Sequence, residues 1–148
     1  METTMTAQPT FTTAAPSKGR GLSVALWGAQ GVLAAAFVAA GATKLFTPAD
    51  QLAAMIPWTG EYGALVPFTG IVDVAGGLGI LLPSLTRIQP RLTVLAALGL
   101  IAVMVLASAF HLSRGEGAVV PMNLVLAAVA AFIAWGRSKA APIAPRGA

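Results

Sequence analysis

The sequence predicts an all-α fold: a transmembrane four-helix bundle with both termini cytoplasmic. Three observations carry that expectation. The chain of 148 residues is 57% hydrophobic before its 16 glycines are counted and only 9% charged, whereas ordinary soluble domains are roughly 45–50% apolar with glycine included and about 25% charged. Its mean hydropathy is +0.81, and a compact soluble fold of this length would lack the polar groups to cover its surface. Four windows, 21–43, 62–86, 92–110 and 117–136, carry no charge except Asp73 in the second, and each approaches the ~20 residues that a bilayer demands. Finally, Lys18, Arg20, Arg87, Arg91, Arg137, Lys139 and Arg146 fall on one side of these windows, and only Lys44 and Arg114 on the other. Excess lysine and arginine marks the cytoplasmic side.

Residues 1–20 are rich in Thr, Ala and Pro with no period, which predicts a disordered tail. Residues 21–138 form the transmembrane domain, and 139–148, with Pro142 and Pro145, form a second disordered tail. A cleavable signal peptide is the competing reading of the first window, because Ala39-Ala40-Gly41-Ala42 resembles a cleavage site. Its apolar stretch exceeds a typical h-region and its basic residues come late. Pro67, Pro90 and Pro121 mark the starts of the second, third and fourth helices, where a missing N–H costs nothing. In the first outer loop, Thr47-Pro48-Ala49-Asp50 offers an N-cap threonine, a first-turn proline and an early acid. That predicts a short helix through Met55, stopped by Pro57 and lying at the interface with Trp58 as anchor. The remaining loops are short, so the helices they join are antiparallel neighbours. Trp27 and Trp135 would sit in the inner aromatic belt, Trp58 and Tyr62 in the outer one.

Ionisable residues in a bilayer face the bundle interior or a hydrated cavity, and helical spacing tells which face each occupies. Gln30, Phe37, Gly41 and Lys44 share one stripe of the first helix, and Gly70, Asp73 and Gly77 share one of the second. Leu100, Met104, Ala107 and His111 line the third, and Asn123, Ala127, Ala130 and Ala134 the fourth. All four stripes can point inward together. With the second helix starting near Pro67, Asp73 is six residues deep, about 9 Å at 1.5 Å per residue. Lys44, Asp73, His111, Arg114, Glu116 and Asn123 then gather in the outer half of the bundle, with Gln30 deeper.

Two accounts fit this set. In one it is a structural network, with Lys44 satisfying Asp73 and Arg114 satisfying Glu116 while Asn123 glues helices together. In the other it is a polar pocket: a histidine that exchanges protons near neutral pH, beside an acid and a lysine, could hydrogen-bond the carbonyl oxygens of a quinone-like ring, with Met104 and Phe110 as apolar walls. A proton relay would need the same residues.

Other chemistries fare worse. The chain has no cysteine, which excludes disulfides, thiol redox catalysis and iron–sulfur ligation. One histidine cannot supply bis-histidine haem ligation, and no spacing forms a metal site. Ser108 and Ser113 lack a base-and-acid triad. Gly76-Gly77-Leu78-Gly79 follows no strand and reads as helix packing rather than a phosphate loop. The sequence pI of about 10.4 comes from scattered charges, which make no nucleic-acid surface.

The runs WGAQGVLAAAFVAAGATKLF, DVAGGLGILLP and HLSRGE, followed by Asn123, resemble the DoxX-like family of small four-helix membrane proteins over residues 27–137. The family more often has Glu where this chain has Asp73. The resemblance implies a multi-pass protein of the bacterial inner membrane, of the kind found as subunits of thiosulfate:quinone or quinol-oxidising complexes. The leading expectation is therefore an auxiliary subunit of a respiratory or sulfur-redox complex, not catalytic alone, whose partners are the lipid bilayer, other membrane redox subunits and further copies of itself. A quinone is the candidate cofactor, held among Lys44, Asp73, His111, Arg114, Glu116, Asn123 and Gln30. The alternatives are a non-catalytic scaffold or assembly factor that docks through the glycine face of the second helix, and a small proton-coupled transporter.

Overall fold

The computed structural model describes residues 18–147, and the regular structure among them is helical, with no strand. In chain order the elements are α1 (Lys18–Phe46), α2 (Ala49–Met55), α3 (Trp58–Glu61), α4 (Leu65–Thr86), α5 (Arg91–Ser113), a 3₁₀ turn (Gly117–Val119), α6 (Val120–Trp135) and a π-helical turn (Gly136–Ala140). The tail expected over residues 1–20 lies outside the described residues except for its last three, which already belong to α1.

Four helical stretches are long and apolar enough to cross a membrane: Gly19–Phe46, Leu65–Thr86, Arg91–Ser113 and Gly117–Ala140. Helix is the form that such segments must take, because hydrocarbon offers no partner to an unpaired backbone group. Their outward faces carry exposed side chains such as Val32, Phe68, Leu95, Leu106 and Val125, a surface that suits lipid. The prolines sit where a helix start tolerates them: Pro67 is the third residue of α4, Pro90 caps α5 and Pro121 is the second residue of α6.

The helices form a ring in which α1 lies along α4, α4 along α5 and α5 along α6, with a shorter α1–α6 contact closing it. The interior is built from Leu33, Phe37, Ile80, Leu100, Met104 and Ile133. Small residues set the spacing between helices. A Cβ added at Gly41 would lie 2.6 Å from the Gly70 carbonyl oxygen, and one at Gly77 would lie 2.9 Å from that of Ala34. Gly76 and Gly79 press in the same way on Leu100 and Ala96 of α5. The glycine face of α4, expected as a docking surface for other proteins, is thus filled from within by α1 and α5.

The first loop departs from expectation in two respects. A helix does run to Met55, but Pro48 rather than Thr47 occupies its cap position, and no side chain caps it. The Thr47 amide instead donates to the Thr43 carbonyl, prolonging the bonding of α1 by one residue. The second difference concerns Trp58, which is 9% exposed and not an interfacial anchor. The unexpected turn of α3 after Pro57 folds it inward over the bundle, against Phe110.

Candidate functional site

Two contacts shape the site. At the end that holds Thr86 and Arg91, Gly76 and Gly79 draw α4 tightly onto Leu100 and Ala96 of α5. Towards Leu65 this glycine contact ceases, and the larger side chains of Phe68, Val72, Val103 and Leu106 line the space there. The two helices part there around a cleft of about 440 Å³. Phe37 and Met104 form its inner wall, while Leu65, Phe68 and Leu106 line it and are also exposed on the outer surface. The cleft therefore opens sideways, on the exposed flank of α4 and α5.

Its polar groups come from all four long helices: Lys44 from α1, Asp73 from α4, His111 from α5 and Asn123 from α6. Asp73 is only 4% exposed, eight residues along α4 from Leu65. The Lys44 Nζ donates to its Oδ2 at 2.7 Å and lies 5.8 Å from the Trp58 ring centroid. A buried carboxylate is thus met by an ammonium whose far side faces an aromatic ring, an arrangement that offsets the desolvation of both. Asn123 also reaches the cleft, and its Nδ2 is buried with no hydrogen-bond partner among the described residues.

His111 links the cleft to a second group of charges above it. Its Nδ1–H donates to Glu116 Oε2 at 2.6 Å, which leaves Nε2 as the remaining ring nitrogen. Arg114 donates through Nε to Glu116 Oε1 at 2.9 Å, and through Nη1 and Nη2 to both oxygens of Glu61 at 2.6 and 3.0 Å. Its guanidinium also lies over Tyr62 and Phe110. The His111 hydrogen bond, followed by Arg114, holds the Glu116 carboxyl below its ordinary range, and the Arg114 fork does the same for Glu61. The same carboxylates push the arginine up.

The structure therefore brings together Lys44, Asp73, His111 and Asn123 at the cleft and sets Arg114 and Glu116 just behind His111. Gln30 stands apart. Its Nε2 donates to the Ile80 carbonyl at 2.7 Å and its Oε1 accepts from Arg137 Nε at 2.6 Å, at the opposite end of the bundle. Sequence reasoning missed Glu61, the acid that takes the Arg114 fork, and Trp58 as a wall of the cleft. Charge bookkeeping offered one signal for Glu61: Arg114 has two ends to its fork, and Glu116 fills one.

The model of the DoxX-like family matches residues 28–133. That stretch runs from the early turns of α1 almost to the end of α6 and holds every residue of the cleft. No curated protein and no solved structure gives a significant match.

Proposed function

The chain belongs to the DoxX-like family and is a multi-pass integral membrane protein; from that premise we propose that it is an auxiliary subunit of a quinone-linked respiratory or sulfur-redox complex, with the α4–α5 cleft as its quinone contact. The observation that carries this reading is the cleft itself, apolar on its walls, open on the exposed flank of α4 and α5, and edged by groups that bind oxygen and hold protons.

The residues present fit such a ring. Asn123 Nδ2 is a buried donor without a partner among the described residues, which suits a carbonyl oxygen. Phe37, Met104 and Phe110 supply flat and soft apolar walls. A bound quinone would supply the electron and proton uptake. On this reading the protein's own part is to bind, to exclude water and to hold protons. Lys44 keeps the Asp73 carboxylate in place, and Glu116 fixes the His111 ring so that Nε2 serves the cleft. Arg114, braced by Glu61, holds Glu116.

The test is mass spectrometry of the organic extract from protein purified in native lipid discs, beside the Asp73→Asn/His111→Ala variant. A quinone retained by the wild type and lost by the variant supports the reading. Bulk lipid alone, alike in both samples, overturns it and leaves the cluster as a structural ion-pair network.

The same proposal places the protein in a bacterial inner membrane with both termini cytoplasmic, which the asymmetry of lysine and arginine supports. Because the chain lacks cysteine, single introduced thiols report on sidedness cleanly. In intact cells, Asp50→Cys should react with an impermeant maleimide and Gln89→Cys should not; the opposite pattern reverses the topology.

A further inference from the structure

At the end of the bundle opposite the cleft, Arg137 sits in the π-helical turn after α6 and is only 6% exposed. Among the described residues, all its polar contacts are neutral. Nε donates to Gln30 Oε1 at 2.6 Å, Nη1 donates to the Ala141 carbonyl at 3.2 Å, and the guanidinium lies 4.9 Å from the Trp27 ring centroid. Nη2 is buried and has no partner among the described residues. Of the five acids in the chain, Asp50, Glu61, Asp73 and Glu116 belong to the cleft end or its loops, and Glu2 lies outside the described residues. Among the described residues, no carboxylate compensates Arg137.

A cavity of about 600 Å³ adjoins this arginine, between the start of α5 and the segment 138–145. Arg91 and Arg137 bring its charge, Ser84 and Ser138 its hydroxyls, and Val94 and Ile143 its apolar wall. A mostly buried cation with no described carboxylate beside it, lining a space that a second arginine also lines, suits an anion. The guanidinium fork suits phosphate oxygens in particular.

We propose that this cavity holds the phosphate of an anionic phospholipid headgroup, bound by Arg137 and Arg91. The position argues for a lipid over a soluble ion. Arg91 is the first residue of α5 and Arg137 lies in the last turns of a membrane-spanning stretch, so both stand at headgroup level. Leu92 and Leu95, 49% and 61% exposed on α5 beside Arg91, offer an apolar surface along which an acyl chain can run. The π turn serves the site by widening the helix where Arg137 must bend inward to Gln30. Arg137 lies beyond the stretch that the family model matches, and the site is independent of the quinone reading.

The test is thermal unfolding of the full chain, delipidated in detergent, with phosphatidylglycerol, phosphatidylcholine or inorganic phosphate added. Phosphatidylglycerol at roughly ten times its dissociation constant should raise Tm by about 4 °C, and phosphatidylcholine should not. Arg91→Gln should weaken phosphatidylglycerol binding about tenfold, the loss expected of one charge-assisted hydrogen bond, which cuts the gain at that lipid concentration to about 1 °C. Arg137→Lys, which keeps the charge and loses the fork, should weaken it similarly, so the test stands even if Arg137→Gln does not fold. Arg20→Gln, an exposed charge at the same end, should leave the response intact. Equal gains from the two lipids, an unchanged response in Arg91→Gln, or an equal loss in Arg20→Gln would overturn the site. A full gain from inorganic phosphate would overturn the headgroup as occupant and put the free ion in its place.

Discussion

At one end of the bundle Lys44 meets Asp73 at 2.7 Å, and Arg114 is gripped between Glu61 and Glu116. At the other, Arg20, Arg87, Arg91, Arg137, Lys139 and Arg146 share their surroundings with no described carboxylate, and Arg137 leans on a glutamine, a carbonyl and a tryptophan. Both ends bury charge. The first end meets each of its cations with its own carboxylates, so its geometry is fixed by the fold. The second leaves its positive charge to be balanced from outside, so its stability depends on what surrounds it.

The largest way to break the self-compensated end is Asp73→Ala, which strands an ammonium whose side chain is only 16% exposed. It should cost about 4 kcal/mol, the range measured when one partner of a buried pair is removed. The paired Lys44→Met/Asp73→Leu variant should recover most of that loss in unfolding from mixed micelles. Equal losses in the single and double variants would show that the two side chains are not coupled. Next is Gly77→Leu, expected to cost about 3 kcal/mol by overpacking, because its Cβ meets the Ala34 carbonyl and Val38 amide of α1, backbone that cannot swing aside. Leu98→Ala, on a face 51% exposed, should change stability by less than about 0.5 kcal/mol. Similar unfolding of these two variants would contradict the assignment of faces.

At the externally balanced end, Gln30→Leu removes the acceptor of Arg137 and the donor to Ile80. A loss of about 2 kcal/mol is expected for buried polar groups left unsatisfied. It should shrink when anionic lipid is present; a loss independent of lipid would erase the contrast between the ends. The smallest effect concerns pH. Glu61 and Glu116 have folded-state values below their ordinary 4.5, so the stability they contribute is present above pH 4.5 and is lost as pH falls through the lowered values. The difference in Tm between wild type and Arg114→Met should hold steady from neutral pH down to about 5 and narrow in more acid solution. A difference that widens on acidification would reverse the sign.

Helix number, spans and faces were legible in the sequence because hydropathy and a 3.6-residue period act along one helix at a time. Gly70, Asp73 and Gly77 fall on a single stripe, and all three are buried. The Lys44–Asp73 pair was legible for the same reason, since two inward stripes at matching depth have little choice but to meet. Glu61 and Trp58 were not, because they are placed by a four-residue helix that turns the first loop inward, and no periodicity reveals such a turn. Gln30 was misgrouped through depth. It shares a stripe with Lys44, yet 14 residues of helix separate them, about 21 Å at 1.5 Å per residue, and its partner Arg137 belongs to a π turn that spacing alone does not announce.

The segment after Ala140 doubles back to the turn between α4 and α5: the Arg146 amide donates to the Arg87 carbonyl at 2.9 Å, and Arg87 Nε donates to the Ala144 carbonyl at 3.1 Å. Arg87 can accept there because it adopts a left-handed conformation, φ 60°, as it closes α4. This strap carries Pro142, Ile143 and Pro145, which wall the cavity beside Arg137. The ribosome makes it only after all four spanning segments, so during biosynthesis the bundle inserts with that cavity still lacking a side. Closure of the cavity is therefore a late event of maturation, and a nascent chain arrested before Ala141 would possess every membrane helix yet lack the completed chamber.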